Sequence, residues 1–462
     1  MKELNLRCKL IIPMFMTGSD KETPELRPTE FKGMMRWWWR AIKAEDNLQK
    51  LKKEEAEIFG SIEKSKSKVK IKIYIQHNNS HKEENIIDDD KSKSQLDDFY
   101  KGKNLKQEYN LKWEFNKKKQ TLDGEDKGIA YLLYSTVLPG KERAYIKTEF
   151  NFNIEISSFD EDAFKQAVAS LWTAINLGGF GTRARRGGGN IVVVSKVGEE
   201  LLDSIPKGKN STELANWIIN NFKKAKTLIT NYNSWAFSYS NLCFSRFVIS
   251  ENSFNSWKEA LNDIGKQYLD FRIQHKNKIF DSAVFGLPVI HHGFKIEGSK
   301  TTRRSSPLII KILLSEGKYW WMVIRLFGEF LQEEEVLVKK VKKEDKWQIE
   351  GTQKPTYTLI DEFWNKLKSK GEEFILNKPE SLDKIVNKIR NELNPERIIL
   401  FGSRARGDAH KNSDIDIALK TEHSIEKLSI TGPFDIINLN RASPEIKEKI
   451  KKEGVILYER KS

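Results

Sequence analysis

Leu4, Leu6, Cys8, Leu10 and Ile12 alternate with polar residues, the period of a half-buried strand, and Pro13 ends the run. After a loop, Arg27-Pro28-Thr29 marks a helix start, with Thr29 as cap and Glu30 suited to the positive end. Within EFKGMMRWWWRAIKA, Phe31, Met35, Trp38 and Ile42 recur at helical spacing and predict one core-facing stripe. Val69 to Ile75 predicts a strand with lysines on one side. The chain then turns strongly polar over 76–128, which reads as a mobile insertion with one short ordered piece near Leu111 to Phe115. Phe150 to Ile156 predicts a third strand. Ala163 to Leu177 predicts a helix on Phe164, Val168, Leu171 and Ile175, stopped by Gly178-Gly179, and Asn190-IVVV a fourth strand. Strand, helix, strand, strand, helix, strand is the split βαβ pattern of a ferredoxin-like domain.

A second set of elements follows. Ala236 to Ile249 reads as a strand, Trp257 to Tyr268 as a helix, and Leu308 to Leu314 and Trp320 to Leu326 as strands. Lys339 to Lys346 is a charge run, Gly351 to Pro355 a turn-rich stretch, and IDEFWNKLKSKGEEFIL is helix-like and bridges two domains. Leu382, Ile385, Ile389 and Leu393 stay in register on an amphipathic helix, and a buried-looking strand, Arg397-IILF, comes after Pro395. The expected architecture is α+β. It has a ferredoxin-like domain over 1–225, a second over 226–360, a helical linker over 361–379 and a small α/β domain over 380–462.

At 462 residues the chain exceeds one typical core. Its net charge of +15 favours a polyanionic partner. From Glu380 onward there are 16 Lys+Arg against 14 Asp+Glu, so the excess lies almost wholly in the earlier part. Only Cys8 and Cys243 occur, and neither has a Cys or His neighbour at metal-ligand spacing, which disfavours a disulfide framework and a zinc site and fits a reducing cytosol. No stretch has the apolar length of a membrane span, and the first residues do not form a signal peptide, so a cytoplasmic protein is expected.

Gly178 to Asn190, GGFGTRARRGGGN, carries six glycines and three arginines around Phe180. Glycine lets backbone approach a ligand closely, arginine offers a planar donor fork to phosphate, and an exposed phenylalanine stacks a base. The stretch reads as an RNA-backbone clamp through Gly179, Phe180, Gly181, Arg183, Arg185, Arg186 and Gly187; a basic connecting loop is the other reading. On the first helix, Lys32, Arg36, Arg40 and Lys43 share a face with Trp39, which suits phosphate and base together. Alternatively Trp37 and Trp39 complete the core while the cations reach into water. Arg303 and Arg304 are further phosphate candidates, and His291-His292 has no acidic or Cys partner nearby to make it a metal pair. RPTEFKGMMRWWWRAIKA with GGFGTRARRGGGN resembles the RAMP superfamily, the RNA-binding ferredoxin-like proteins of CRISPR effectors, and the helix is similar to the first-subunit family of the Cmr (type III-B) complex. Phe285-Gly286-Leu287-Pro288, Thr302 to Leu308 and Arg325-Leu326-Phe327 resemble the second RAMP domain of that family. The resemblance implies a non-cleaving subunit of an antiviral ribonucleoprotein. It would contact guide CRISPR RNA, or its duplex with target RNA, near the guide 3′ end, beside other Cmr subunits.

The C-terminal part holds a different chemistry: Gly402-Ser403-Arg404-Ala405-Arg406-Gly407 after a strand, then Ser413-Asp414-Ile415-Asp416-Ile417. A Gly-Ser turn offers N–H groups and a hydroxyl to triphosphate oxygens. Asp414 and Asp416, two apart on a strand, share a face, and Asp435 supplies a third carboxylate from a neighbouring strand. Three carboxylates with divalent metal suit in-line nucleotidyl transfer. The pattern resembles the minimal nucleotidyltransferase domain of the polymerase-β-like superfamily. By that resemblance Gly402, Ser403 and Arg404 take the nucleotide, Asp414, Asp416 and Asp435 bind Mg²⁺ and serve catalysis, and a nucleoside triphosphate is the substrate. Arg404 to His410 also shows an Arg-x-x-x-x-x-His spacing, but it lies inside the Gly-Ser loop and is set aside. The alternative to a binding subunit is an active enzyme that adds nucleotides to RNA 3′ ends or to a partner protein.

Overall fold

The computed structural model describes residues 1–20, 22–62, 66–75, 98–291, 293–343, 346–428 and 432–460. Its first sheet runs, in spatial order, Val69–Tyr74, Asn151–Ser158, Lys2–Leu10 and Ile191–Gly198, every pair antiparallel. Numbered along the chain the order is 2-3-1-4, the ferredoxin-like arrangement that the element order predicts. Leu4, Leu6, Cys8 and Leu10 are buried, so the alternating face turns inward. Helices Pro28–Lys43 and Glu161–Leu177 close that face, and every residue of their two expected stripes is buried. The first helix opens on Pro28 without a side-chain cap, so Thr29 lies inside the first turn instead of capping it. Asp160 caps the second, accepting from the Ala163 N–H at 2.9 Å.

The second sheet repeats the plan: Leu308–Ser315, Lys318–Phe327, Asn241–Ser250 and Gly371–Asn377, again antiparallel and again 2-3-1-4. Its helices are Trp257–Gln274 and Thr358–Lys368. The stretch 361–379, expected as a helical linker, is therefore the last helix and last strand of this sheet. Phe363, Trp364 and Leu367 are buried in the core, and Phe374 lies opposite Phe247. Two hairpins, Val289–His291 with Phe294–Gly298 before the strand Leu308–Ser315 and Leu337–Lys343 with Lys346–Gln353 after Lys318–Phe327, pair with each other in a further sheet.

Of the polar insertion, 76–97 lies outside the described residues, and so does His292 of the histidine pair. From residue 98 the expectation of a mobile segment is corrected. Lys101–Gly102 pairs with Tyr145–Ile146, Glu114–Asn116 with Thr121–Asp123, and Leu105, Leu111 and Trp113 are buried. A few apolar residues among many charges suffice to anchor the segment on the core.

The C-terminal sheet runs Phe434–Asn438, Ile415–Lys420, Arg397–Phe401 and Val455–Glu459, with only the first pair parallel. Helices Glu380–Leu393 and Pro444–Glu453 accompany it. Its core is continuous with the second domain: Leu382, Ile389, Leu400 and Ile417 cluster with Ala236, Phe237, Phe244 and Phe327. Among the described residues, no helix is long and apolar enough to cross a membrane.

Candidate functional site

The glycine-arginine loop is annealed across the junction of the two ferredoxin-like domains. The Ile310 N–H, on the second sheet, donates to the Arg185 carbonyl at 3.0 Å, and Arg186 bridges to Ile310 in parallel. Arg183 Nε donates to the Leu132 carbonyl at 2.8 Å, Arg185 Nη1 to that of Ser306 at 2.9 Å, and Arg186 Nη2 to that of Phe285 at 3.0 Å. Arg185 also lies over the Trp37 ring at 4.5 Å. Burial first, then Arg304 and Arg186, lowers the Arg185 guanidinium to about 10. The glycines serve the same compact turn. Gly189 has φ 61°, and a Cβ there would sit 1.9 Å from the Phe180 carbonyl oxygen, so only glycine fits. Gly179, Gly181 and Gly187 are likewise pressed against protein atoms, within 2.7 Å of a built Cβ.

Phe180, expected as an exposed stacking surface, is fully buried and stacks on Phe31 with ring centroids 4.2 Å apart. Its apolar ring joins the first core, which leaves no face for a base. Trp39 is buried too, with Nε1 donating to Gln166 at 2.8 Å, so for that residue the core reading holds. Arg36 and Arg40 both pair with the buried carboxylate of Glu55, at 2.5 and 2.7 Å. Lys32 donates to the Ser67 hydroxyl at 2.7 Å. Arg304 is half-buried and donates to the Glu329 carbonyl, whereas Arg303 is exposed.

In the C-terminal domain the turn after Arg397–Phe401 places Gly402 at φ 74°, where a Cβ would stand 1.9 Å from Asp416 Oδ2. Glycine is required for the carboxylate to lie against the turn. Asp416 is half-buried and in register with Asp435 across the parallel strand pair; Asp414 and Asp435 are exposed. Burial holds Asp416 above the usual carboxylate range; Lys449 opposes the shift, and Asp435, Asp414 and Glu453 add to it. Among the described residues, no three His, Cys, Asp or Glu side chains are gathered closely enough to hold a metal ion. The donor set is nevertheless all carboxylate, as a hard divalent ion prefers, and mutually repelling carboxylates around a half-buried Asp416 are what such a charge relieves. Asp416 with Asp435, and Asp414 at the strand entrance, are the residues that fit it.

Arg404, expected at the nucleotide, is buried and turned elsewhere. It donates to the carbonyls of Ser413 at 2.6 Å and Asp414 at 3.2 Å and lies over Trp235 at 4.6 Å. Its guanidinium fastens the entrance of the Asp414–Asp416 strand. Ser403 is half-exposed in the turn.

Several residues of this site were not singled out in the sequence. Glu453, at the end of the helix Pro444–Glu453, accepts from the Gly402 N–H at 2.9 Å and from Arg406 at 2.8 Å. Arg246 and Arg325, opposite each other on neighbouring strands of the second sheet, donate to the carbonyls of Ala405 and Arg406. Glu329 pairs with His410 at 2.8 Å. The one sequence signal available was charge on a strand otherwise apolar: Arg246 within NLCFSRFVIS and Arg325 within KYWWMVIRLF.

Residues 7–192 match the family model of the RAMP superfamily, and residues 383–462 match that of polymerase beta nucleotidyltransferases. Such a domain works on nucleotides with divalent metal in general. Two curated proteins of Pyrococcus furiosus are similar. CRISPR system Cmr subunit Cmr1-1 is 30% identical over 324 residues, 66% of this chain and 82% of that protein. CRISPR system Cmr subunit Cmr1-2 is 34% identical over 197 residues, 40% of this chain and 90% of that protein. The crystal structure of Cmr1 from Pyrococcus furiosus in its apo form shares the fold, with a TM-score of 0.53 at 21% identity, covering 82% of this chain and 99% of that one. By this identity over most of a relative's length, the chain belongs to the Cmr1 family of CRISPR Cmr subunits and carries a polymerase-beta-type nucleotidyltransferase domain at its C-terminal end.

Proposed function

We propose that this chain is an RNA-binding subunit of a type III-B (Cmr) effector in the cytoplasm, acting in antiviral defence. It contacts guide RNA, or the guide–target duplex, near the guide 3′ end and assembles with other Cmr subunits. The observation that carries the reading is the junction: two ferredoxin-like domains joined by an arginine-rich loop, in the part of the chain that holds nearly all of the +15 charge.

The C-terminal domain is a Mg²⁺-dependent nucleotidyltransferase in this proposal. Asp414, Asp416 and Asp435 would hold the metal, which neutralises phosphate charge when bound. The Ser403 hydroxyl and the N–H groups of the turn beyond Gly402, whose own N–H is held by Glu453, would face the triphosphate. An acceptor hydroxyl attacks the α-phosphorus, a new P–O bond forms as the bond to pyrophosphate breaks, and the hydroxyl proton passes to solvent or a carboxylate. The close fit of Gly402 against Asp416 supports the reading, because only a residue without a Cβ leaves room for that carboxylate beside the turn. An RNA 3′ end and a partner protein are both chemically suitable acceptors.

The test is to incubate the full chain with Mg²⁺, each labelled nucleoside triphosphate and an RNA bearing a 3′-hydroxyl, beside Asp414→Ala/Asp416→Ala. Label on RNA or on protein, lost in the variant and on chelation, is the expected result and identifies the acceptor. Salt-sensitive RNA binding without transfer would leave the binding subunit and remove the enzyme.

A further inference from the structure

The helix Pro444–Glu453 covers the face of the C-terminal sheet that carries Asp416. Its rotation is set by Ile450, which is buried with Ile399, Phe401 and Ala418. Its end is set by Gly454, where a Cβ would stand 2.9 Å from Ile399 Cγ2 and 2.4 Å from the Ile450 carbonyl oxygen. Lys449 and Glu453, four residues apart, therefore share one side of the helix and are both delivered to the turn after Phe401. Glu453 takes the Gly402 N–H, and Lys449 Nζ stands 3.9 Å from Glu453 Oε1 and 5.9 Å from the centre of the Phe401 ring. After burial, the Lys449 charge is the strongest influence on Asp416 and draws its carboxylate back toward the ordinary range. This ammonium thus belongs to the same cluster as the turn and the carboxylates.

A nucleoside triphosphate, and the pyrophosphate that leaves it, bring negative charge that cations beyond the metal must share. The two arginines of the turn are already committed. Arg404 is spent on the carbonyls of Ser413 and Asp414. Arg406 is held between Glu453 at 2.8 Å and Asp408 at 3.2 Å. Lys449 is placed differently. Its side chain is 54% exposed, against 9% for that of Glu453, and the ion pair between them is long. An exposed pair of that length contributes little, so exchanging the carboxylate for a phosphate costs little. Glu453 would not be stranded by the exchange, because it keeps both Gly402 and Arg406.

Resting on the nucleotidyltransferase reading above, we propose that Lys449 is a substrate-binding residue of this site, which takes the phosphates of the nucleoside triphosphate beyond the α-phosphate. The α-phosphorus has to lie at the carboxylates that would hold the metal, so the departing pyrophosphate extends toward the turn and the helix above it. A lysine suits that position. Its ammonium is a compact charge with three donors on a flexible stem, able to stay with the pyrophosphate as the bond to the α-phosphorus breaks. It supplies charge only and keeps its protons throughout.

The test uses the full chain with Mg²⁺ and each nucleoside α,β-methylene triphosphate, which cannot break between the α- and β-phosphorus, beside the matching nucleoside monophosphate. Affinities are measured for the parent, Lys449→Met and Lys449→Arg. Lys449→Met is expected to weaken the triphosphate analogue about tenfold and the monophosphate by less than roughly twofold, as the loss of one charge-assisted contact predicts. Lys449→Arg should restore most of the loss. The decisive quantity is the ratio of the two affinities within one preparation, which a smaller folded fraction leaves unchanged. An unchanged ratio in Lys449→Met, whether both ligands weaken equally or neither does, overturns the role of Lys449 and leaves the nucleotidyltransferase reading standing. A parent protein that binds neither ligand overturns that reading itself, and the role of Lys449 with it.

Discussion

Lys311 lies enclosed between the two ferredoxin-like domains, 2% exposed, with Nζ donating to the Ile175 carbonyl at 2.6 Å. Burial lowers its pKa to about 7, against roughly 10.4 in an unfolded chain. Between those values the unfolded state holds a proton that the folded state has shed, so the Lys311 contribution makes stability rise with pH from about 7 to about 10. Below about 7 the cost of a buried ammonium is present in full. Lys311→Met should therefore stabilise the chain at about pH 6 by up to a few kcal/mol, less about 1 for the abandoned carbonyl, and should abolish that rise. Thermal melts of both proteins across the range check it. At this scale the sequence was readable where a residue repeats a period, as with Phe31, Met35, Trp38 and Ile42. It misled where chemistry suggested exposure: Phe180 sits among glycines and arginines, yet its ring completes a core assembled from strands far away in the chain.

Among the elements, the informative pair is the two central strands of the second sheet. Arg246 and Arg325 face each other there, almost wholly buried, balanced by Glu373 at 2.9 Å and Asp361 at 2.7 Å. The same guanidiniums also donate to the carbonyls of Ala405 and Arg406, at the end of the short helix Gly402–Arg406. The nucleotidyltransferase turn is thus held by a neighbouring domain's ion pairs as well as by its own strands. Arg325→Met leaves Asp361 buried without its partner and should cost about 3–5 kcal/mol. Arg325→Met/Asp361→Leu should recover most of that stability while still leaving the Arg406 carbonyl free. Hydrogen exchange at residues 402–410 should then be faster in both variants than in the parent, which separates lost docking from lost folding. The strand 371–377 shows why the boundary of this domain was hidden. IDEFWNKLKSKGEEFIL keeps a helical period through Ile360, Phe363 and Leu367, and only Gly371 breaks it. The partner that makes the rest a strand is more than a hundred residues away.

For the whole molecule, the question is which charges remain available to a polyanion. Much of the basic face expected on the first helix is neutralised internally: Glu55 takes both Arg36 and Arg40, and Glu54 takes Lys43 at 2.7 Å. Arg185 and Arg304 are engaged with backbone carbonyls at the domain junction. A counterion-release slope counts only cations that meet phosphate in place of salt, so these residues should contribute little to it. Arg303, exposed beside the same junction, is differently placed. Arg303→Ala should lower the log–log salt slope of RNA binding by about one unit with no change in melting temperature. Arg36→Ala should do the reverse, leaving the slope intact and destabilising the fold by about 1–3 kcal/mol through a Glu55 that keeps only Arg40. Binding isotherms at several salt concentrations, paired with melts of the same preparations, distinguish the two. A slope that falls with Arg36→Ala and not with Arg303→Ala would mean that RNA displaces Glu55, and that the helix face, not the domain junction, leads the contact.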